Sequence, residues 1–402
     1  MADKRHAIIA GAGIGGLTAA IALARAGLRV TLLERAKAIE EAGAGLQLAP
    51  NATGVLGELG LIDRVMQAAL RPDHLRIRRA SDGVELAGFP MGAVAEARWG
   101  APSAVIHRAD LQNALLERCS DHPDITIETD AEVRGFAEGT DGVEVAIGRE
   151  AGARSMVGDL LIGADGLRSV IRANMGLGPG DQPVWSGRTA WRALLPADEA
   201  PEFALKPETC LWLGPKAHLV HYPLRGGTLI NIVAITEDSW RGEEAQDLWA
   251  ISGQPSDVSP RFARWQRDAR MLVAAAKAWK RWPLFDREPT QRWTSQRVAL
   301  LGDAAHPMLP FFAQGAAQAI EDAGALGRAF GRTQEVRTAL ADYEGARRRR
   351  AGDVVLASRR QGAIYHMTGP LAFARDLTMR SLSPQMMMAR LDWLYGYRGR
   401  GG

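Results

Sequence analysis

Cysteine is almost missing from this sequence. Two residues in 402, Cys119 and Cys210, stand 91 positions apart and in no CxxC pair. That excludes a disulfide scaffold and a thiolate zinc site, and it suits a reducing compartment. Long hydrophobic runs are missing too: none approaches the ~18 residues of a membrane-spanning helix. Net charge is slight, since 49 basic residues against 46 acidic ones give +3, too little for a dedicated nucleic-acid binder. From Ala341 onward 11 basic residues face 5 acidic ones, so any basic surface belongs to the C-terminal segment. With hydrophobic residues at 47% and charged residues at 24%, disorder fails as a description of the whole chain. Lys4 and Arg5 ahead of an apolar stretch imitate a signal peptide. Glycines interrupt that stretch, however, and a strand, turn and helix pattern continues beyond it, so a cytoplasmic protein is expected. At roughly 150 residues per domain the length suggests two or three domains.

What is present starts at once. His6–Ala10 reads as a short buried strand, GAGIGG as a turn, residues 17–27 as an alanine-rich helix and residues 29–34 as a second strand, a β-α-β unit. Nine of the 11 tryptophans lie between Trp185 and Trp293. There the strand-like runs GRTAWRALL, CLWLG, HLVHYPLRGG and TLINIVAI predict a second layer, a mostly antiparallel sheet. QRVALLGDAAHP then returns to a buried strand and a turn, followed by the helix AQGAAQAIEDAGALGRAF. The last 60 residues read as helical. The fold class is α/β, with a Rossmann-like domain built from separated segments, a β-sheet domain and a helical C-terminus. Its expected divisions are 1–74, 103–178 and 291–345 for the first, 75–102 and 179–290 for the second, and 346–402 for the helical segment.

Three stretches carry chemistry. Gly11-x-Gly13-x-x-Gly16 fits the dinucleotide pattern, but chance alone supplies roughly half a match in a chain so rich in glycine. Its context is the evidence: it follows a strand, opens a helix, and Glu34 closes the next strand 18 residues after Gly16. The glycines would let backbone amides approach a pyrophosphate at a helix N-terminus, and Glu34 would accept from a ribose diol. Gly15 and Arg35 complete this candidate cofactor set. DLLIGADGLRSVIR and VALLGDAAHP are the other two, each a buried strand ending at an acidic turn, Asp165-Gly166 and Gly302-Asp303. Taken singly, such an Asp is more often a helix cap than a ligand group.

Together, in this order and at these separations, the three stretches resemble the single-component FAD-dependent aromatic hydroxylases, over nearly the whole chain. HRADLQNAL and GAGLQLAPNA fit the same family. The resemblance implies FAD contacts from Arg108, Gln112, Gln47 and Asp303, the last on the ribitol chain. It also implies that Asp165 and Gly166 serve both FAD and nicotinamide, that Pro310 lies beside the flavin, and that Gly315 and Ala316 open a helix facing the flavin pyrimidine. A helix N-terminus there would stabilise the negative charge of reduced flavin. Within the family, WLGPKAHLVHYPLRGG resembles the salicylate hydroxylase, 3-hydroxybenzoate 6-hydroxylase and 6-hydroxynicotinate 3-monooxygenase branch. That branch places a His and a Tyr four residues apart at the substrate, here His218 and Tyr222. Strand alternation puts His218, Val220 and Tyr222 on one face, with Leu219 and His221 on the other. Gln47, Pro310 and Phe311 would complete the substrate pocket.

The implied function is a monooxygenase that consumes NADH or NADPH and O2 and hydroxylates a small phenolic acid through a flavin C4a-hydroperoxide. His218 would be the base that ionises the phenol, and Tyr222 would orient the ring. The 6-hydroxynicotinate enzymes have histidines where Gln47 and Phe311 stand, and the 3-hydroxybenzoate enzymes have Gln at Pro310. A salicylate-type, decarboxylative hydroxylation is therefore favoured over those two. A flavin reductase or dehydrogenase without oxygen transfer, and a nucleotide-binding regulatory module, are the rival classes. No metal, nucleic acid or membrane partner is expected, and a homodimer is the candidate assembly. His306 reads as structural with no evident partner, and Arg347 to Arg350 as a solvated helix face.

Overall fold

The computed structural model describes residues 4–39, 44–148, 152–178, 181–239 and 251–399. Its first layer is a five-stranded sheet ordered Val298–Leu300, Leu160–Gly163, His6–Ala10, Arg29–Leu33 and Ile125–Glu128. Every pairing in it is parallel. These runs are near-continuously apolar because helices cover both faces of such a sheet. Ile14–Arg25 packs against Gly315–Arg332 through small residues, and a Cβ on Gly327 would sit 2.9 Å from Ala22 Cβ. The register aligns Ala10 with Gly163 and Gly163 with Leu300. The glycine turn, Asp165 and Asp303 therefore leave three adjacent strands at the same carboxyl edge, where open α/β sheets bind ligands.

The second layer is an eight-stranded sheet. In order it runs Ile251–Gly253, Trp279–Asp286, Val184–Pro196, Leu229–Glu237, Ala217–Leu224, Glu208–Gly214, His74–Arg79 and Glu85–Pro90. Only the Glu208–Gly214 and His74–Arg79 pair is parallel among these ladders. Its back face buries Trp191, Trp212, Trp265, Trp279 and Leu219 in one cluster with Phe262 and Leu272, which accounts for much of the tryptophan enrichment. Trp240 and Trp249 lie outside the described residues. A two-stranded ladder, Gly45–Leu48 with Ala104–His107, lies against the other face. A 30-residue helix, Val336–Tyr365, begins the C-terminal helices. Among the described residues no helix is long and apolar enough to cross a membrane.

The solvated-face expectation for Arg347 to Arg350 is corrected. Arg347 is fully buried and pairs with Glu321 and with Asp322 (2.7 Å) from Gly315–Arg332, and Arg350 reaches Glu321 at 2.7 Å. Only Arg349 of the four is exposed. Four consecutive helical residues span about 300° of arc, so a helix packed on one side must turn some of them inward.

Candidate active site

The glycine turn is built tightly on one side and openly on the other. Gly11 has φ +103°, and a Cβ there would lie 2.5 Å from the Ala164 carbonyl oxygen. A Cβ on Gly16 would fall 1.9 Å from the Gly11 carbonyl, whereas one on Gly13 would meet nothing within 4 Å. Gly15 packs toward Leu301 and Ala319. Glu34 accepts from the amides of Ala12 and Ala36, each at 2.9 Å, and Arg35 is exposed beside it. The open cradle at Gly13, with Glu34 at its rim, fits the diphosphate and ribose of FAD.

Helix Arg108–Ser120 brings in the next group: Gln112 Nε2 donates to the Ala12 carbonyl at 3.2 Å. Arg108 and Asp303 act on each other electrostatically. Asp303 is exposed at its turn yet ringed by protein. That burial raises its carboxyl above the usual range, against the opposing pull of His306 and Arg108. Its Oδ1 lies 4.0 Å from where a Cβ of Gly315 would stand, so Asp303 adjoins the N-terminus of Gly315–Arg332, with Ala316 next along. Gln47, Phe312, Ala313 and Gln314 line one cleft with Val105 and Tyr395. Asp165 faces differently: it accepts from Ser169 Oγ (2.6 Å) and from the amides of Val170 (2.7 Å) and Ile171 (3.2 Å), an N-terminal cap. Gly166 follows it at φ +78°, and Gly43 lies outside the described residues.

A buried network that the sequence did not announce holds the Asp303 turn. Asp322 accepts from Gly302 N (3.0 Å), His306 Nε2 (2.6 Å) and Arg347 Nε (2.7 Å). His306, expected to be structural with no partner evident in the sequence, holds the turn through Asp322. Arg172 donates to the Ala304 and Ala305 carbonyls at 2.8 and 2.7 Å. Glu321, held below the usual carboxylate range by Arg347 and Arg350 despite its burial, also accepts from Asn51 at 2.6 Å.

On the large sheet, His218, Val220 and Tyr222 pair with Ile235, Val233 and Asn231 and share their face. His221 points to the other side, against Phe203 at 5.8 Å, with neither ring nitrogen partnered among the described residues. His218 is 2% exposed and packs between Phe311 and Tyr365, with ring centroids 5.4 Å away in each case. Pro310 opens the short turn that delivers Phe311. His218 Nδ1 meets His366 Nε2 at 2.8 Å, and Arg188 Nε donates to His366 Nδ1 at 3.3 Å. Burial, His366 and Arg188 hold His218 well below the usual histidine range, and burial with two arginines holds His366 at about 3. Both rings are therefore neutral near pH 7, and the chain has one polarity. The guanidinium can only donate, so His366 carries its proton on Nε2 and gives it to His218 Nδ1, leaving the His218 proton on Nε2. His366 and Arg188 were invisible in the sequence, because 148 positions separate His366 from His218.

The comparisons with known proteins cover nearly the whole chain that carries these residues. Residues 4–358 match the family described as FAD binding domain. The chain is 38% identical to 3-hydroxybenzoate 6-hydroxylase 1 of Aquipseudomonas alcaligenes, covering 97% of each. It is also 38% identical to the 3-amino-4-hydroxybenzoate 2-monooxygenase PtnB3 of Streptomyces platensis, covering 98% of this chain and 96% of that one. A salicylate hydroxylase substrate complex superposes with TM-score 0.81 at 25% identity, over 98% of this chain and 96% of that one.

Proposed function

The chain belongs to the FAD-dependent aromatic hydroxylases, the class A flavin monooxygenases, and we propose that it hydroxylates the ring of a hydroxybenzoate that keeps its carboxylate. NADH or NADPH would be the reductant and O2 the oxygen source. Bound FAD supplies the electrophilic oxygen, and the chain's residues prepare the ring to attack it. Gly11, Gly13, Glu34, Gln112, Arg108 and Asp303 would hold the cofactor, with Gln47, Pro310, Gly315 and Ala316 along its flavin end.

The observation that carries the reading is the directed imidazole. With its Nδ1 occupied by His366, His218 would offer its Nε2 proton to a substrate. A donor aimed at a phenol oxygen favours the phenolate, the form that attacks an electrophile. For His218 to act as a base at Nε2, both histidine tautomers would have to reverse and the Arg188 bond would have to break. We therefore assign it the donor role, and Tyr222, buried four residues further along the same face, the orienting one. Decarboxylative, salicylate-type hydroxylation stands second, supported by the structural neighbour at 25% identity against 38% for the two relatives.

The test is product identity. The FAD-loaded enzyme is supplied with NAD(P)H, oxygen and, in turn, 2-, 3- and 4-hydroxybenzoate, 3-amino-4-hydroxybenzoate and 6-hydroxynicotinate. A product that gains one oxygen and keeps its carboxylate supports the reading. A catechol formed with release of CO2 installs the second reading instead. NAD(P)H loss that yields only hydrogen peroxide with every acid overturns both.

A further inference from the structure

We propose that Arg192 and Asn231 form the subsite that receives the carboxylate of the aromatic substrate; this rests on the aromatic-acid reading above. Register places them. Arg192 stands opposite Val233 and Leu194 opposite Asn231, while Val233 and Asn231 stand opposite Val220 and Tyr222. Arg192, Asn231, Tyr222 and His218 therefore share one face, and Arg192 and Asn231 are diagonal neighbours, within reach of a long side chain.

Both carry unspent donors. The Arg192 Nε is buried with no partner among the described residues, and so is the Asn231 Nδ2. Asn231 is fully buried, and its Oδ1 is already used by the Gly45 amide at 2.7 Å, which turns the amide group and fixes where its NH2 lies. Gly45 is required there: a Cβ would sit 2.6 Å from Asn231 Cγ and 2.7 Å from the Tyr222 hydroxyl. The Arg192 guanidinium stacks on Trp282, its central carbon 3.8 Å from the ring centroid, and a stacked fork suits a carboxylate as a lysine would not. Its charge feels burial, Tyr222 and Arg108, with no carboxylate among the groups acting on it, and burial lowers its pKa only to about 9. It stays a cation at neutral pH. A half-buried cation without a counter-charge is costly to a fold, and a ligand anion would offset that cost. With the carboxylate at Arg192 and the phenol at His218, the ring would lie flat along the sheet face.

The experiment compares an acid with its neutral isostere. The FAD-loaded enzyme is titrated with 3-hydroxybenzoate and with 3-hydroxybenzamide, binding being read from the flavin absorption band. The parent should prefer the acid, and Arg192→Gln should weaken acid binding roughly 10- to 100-fold while leaving the amide within about threefold. Arg192→Lys should fall between. Unchanged acid binding in Arg192→Gln, or an equal loss for both ligands, overturns the subsite. Loss of FAD from Arg192→Gln would assign the arginine to the cofactor instead and likewise overturns it. If the parent itself binds neither ligand and turns over no aromatic acid, the aromatic-acid reading fails first and takes the subsite with it, a pattern distinct from failure in the variant alone.

Discussion

The polarity of the Arg188–His366–His218 chain separates two roles for His218 that a simple alanine replacement would confuse. A free phenol titrates near ~10, so only about one molecule in a thousand is ionised at pH 7. One hydrogen bond to a charged acceptor contributes about 1.5–3 kcal/mol, a factor of roughly 10–150 in the phenolate population. His218→Ala should lower the hydroxylation rate by that factor at pH 7. Raising the pH to 9 increases free phenolate about a hundredfold and should recover most of the loss. Flavin reduction need not slow in proportion, so the deficit should appear as hydrogen peroxide, with less product per NAD(P)H. His218→Gln is the deciding variant. Its side-chain amide still offers an N–H toward the pocket but takes no proton, so it should stay within about tenfold of the parent. A general base, by contrast, contributes about 10²–10⁴-fold, and glutamine would then be as poor as alanine. His221→Ala, altered on the opposite face of the strand, serves as the control and should leave coupling unchanged. Product and peroxide are quantified for all four proteins from pH 6.5 to 9. Equal failure of His218→Gln and His218→Ala at pH 7, both rescued at pH 9, would refute the donor assignment in favour of the base.

Two further outcomes follow from the cofactor edge. Asp303→Ala removes the acceptor proposed for the ribitol chain, a loss of ~1–3 kcal/mol, so FAD should dissociate up to about a hundredfold more readily. Fluorescence of released flavin measures it, and parent-like retention would cancel the ribitol assignment. Arg347→Met strips the main counter-charge from the buried Glu321 and Asp322, which costs about 3–5 kcal/mol. At ~2.1 cal/mol/K of unfolding entropy per residue, the 402-residue chain should melt about 4–6 °C lower. A shift under about 1 °C would mean that the network relaxes around the loss.

The cofactor edge was legible because it is local. Gly11, Asp165 and Asp303 each terminate a short apolar run, and runs of that kind become parallel strands whose carboxyl ends align. Strand alternation likewise separated His218 from His221 with no structure at all. The network behind Asp303 was not legible. Asp322 and Arg347 sit 25 positions apart on two different helices, and which face of each helix turns inward depends on packing that no window of sequence contains. Even so, the run Arg347 to Arg350 held a clue: four adjacent helical residues cannot all lie on one solvated face.

His218 shows where local reading stops. Parity placed its ring on the correct side of the strand, and residue type suggested a base, since an unperturbed imidazole titrates near ~6.5. The neighbours changed that chemistry. Burial removes the charged form, and His366 at 2.8 Å occupies the nitrogen that would have to be free for the proton to sit elsewhere. Arg188, on the same face of the sheet as His218, cannot accept a hydrogen bond in any protonation state it reaches, so it fixes the direction of the chain from one end. On the proposed reading, the role of His218 is thus set by a guanidinium two hydrogen bonds away. The same logic makes Arg192 informative, because a half-buried guanidinium with no carboxylate acting on it would specify the charge its proposed ligand must bring.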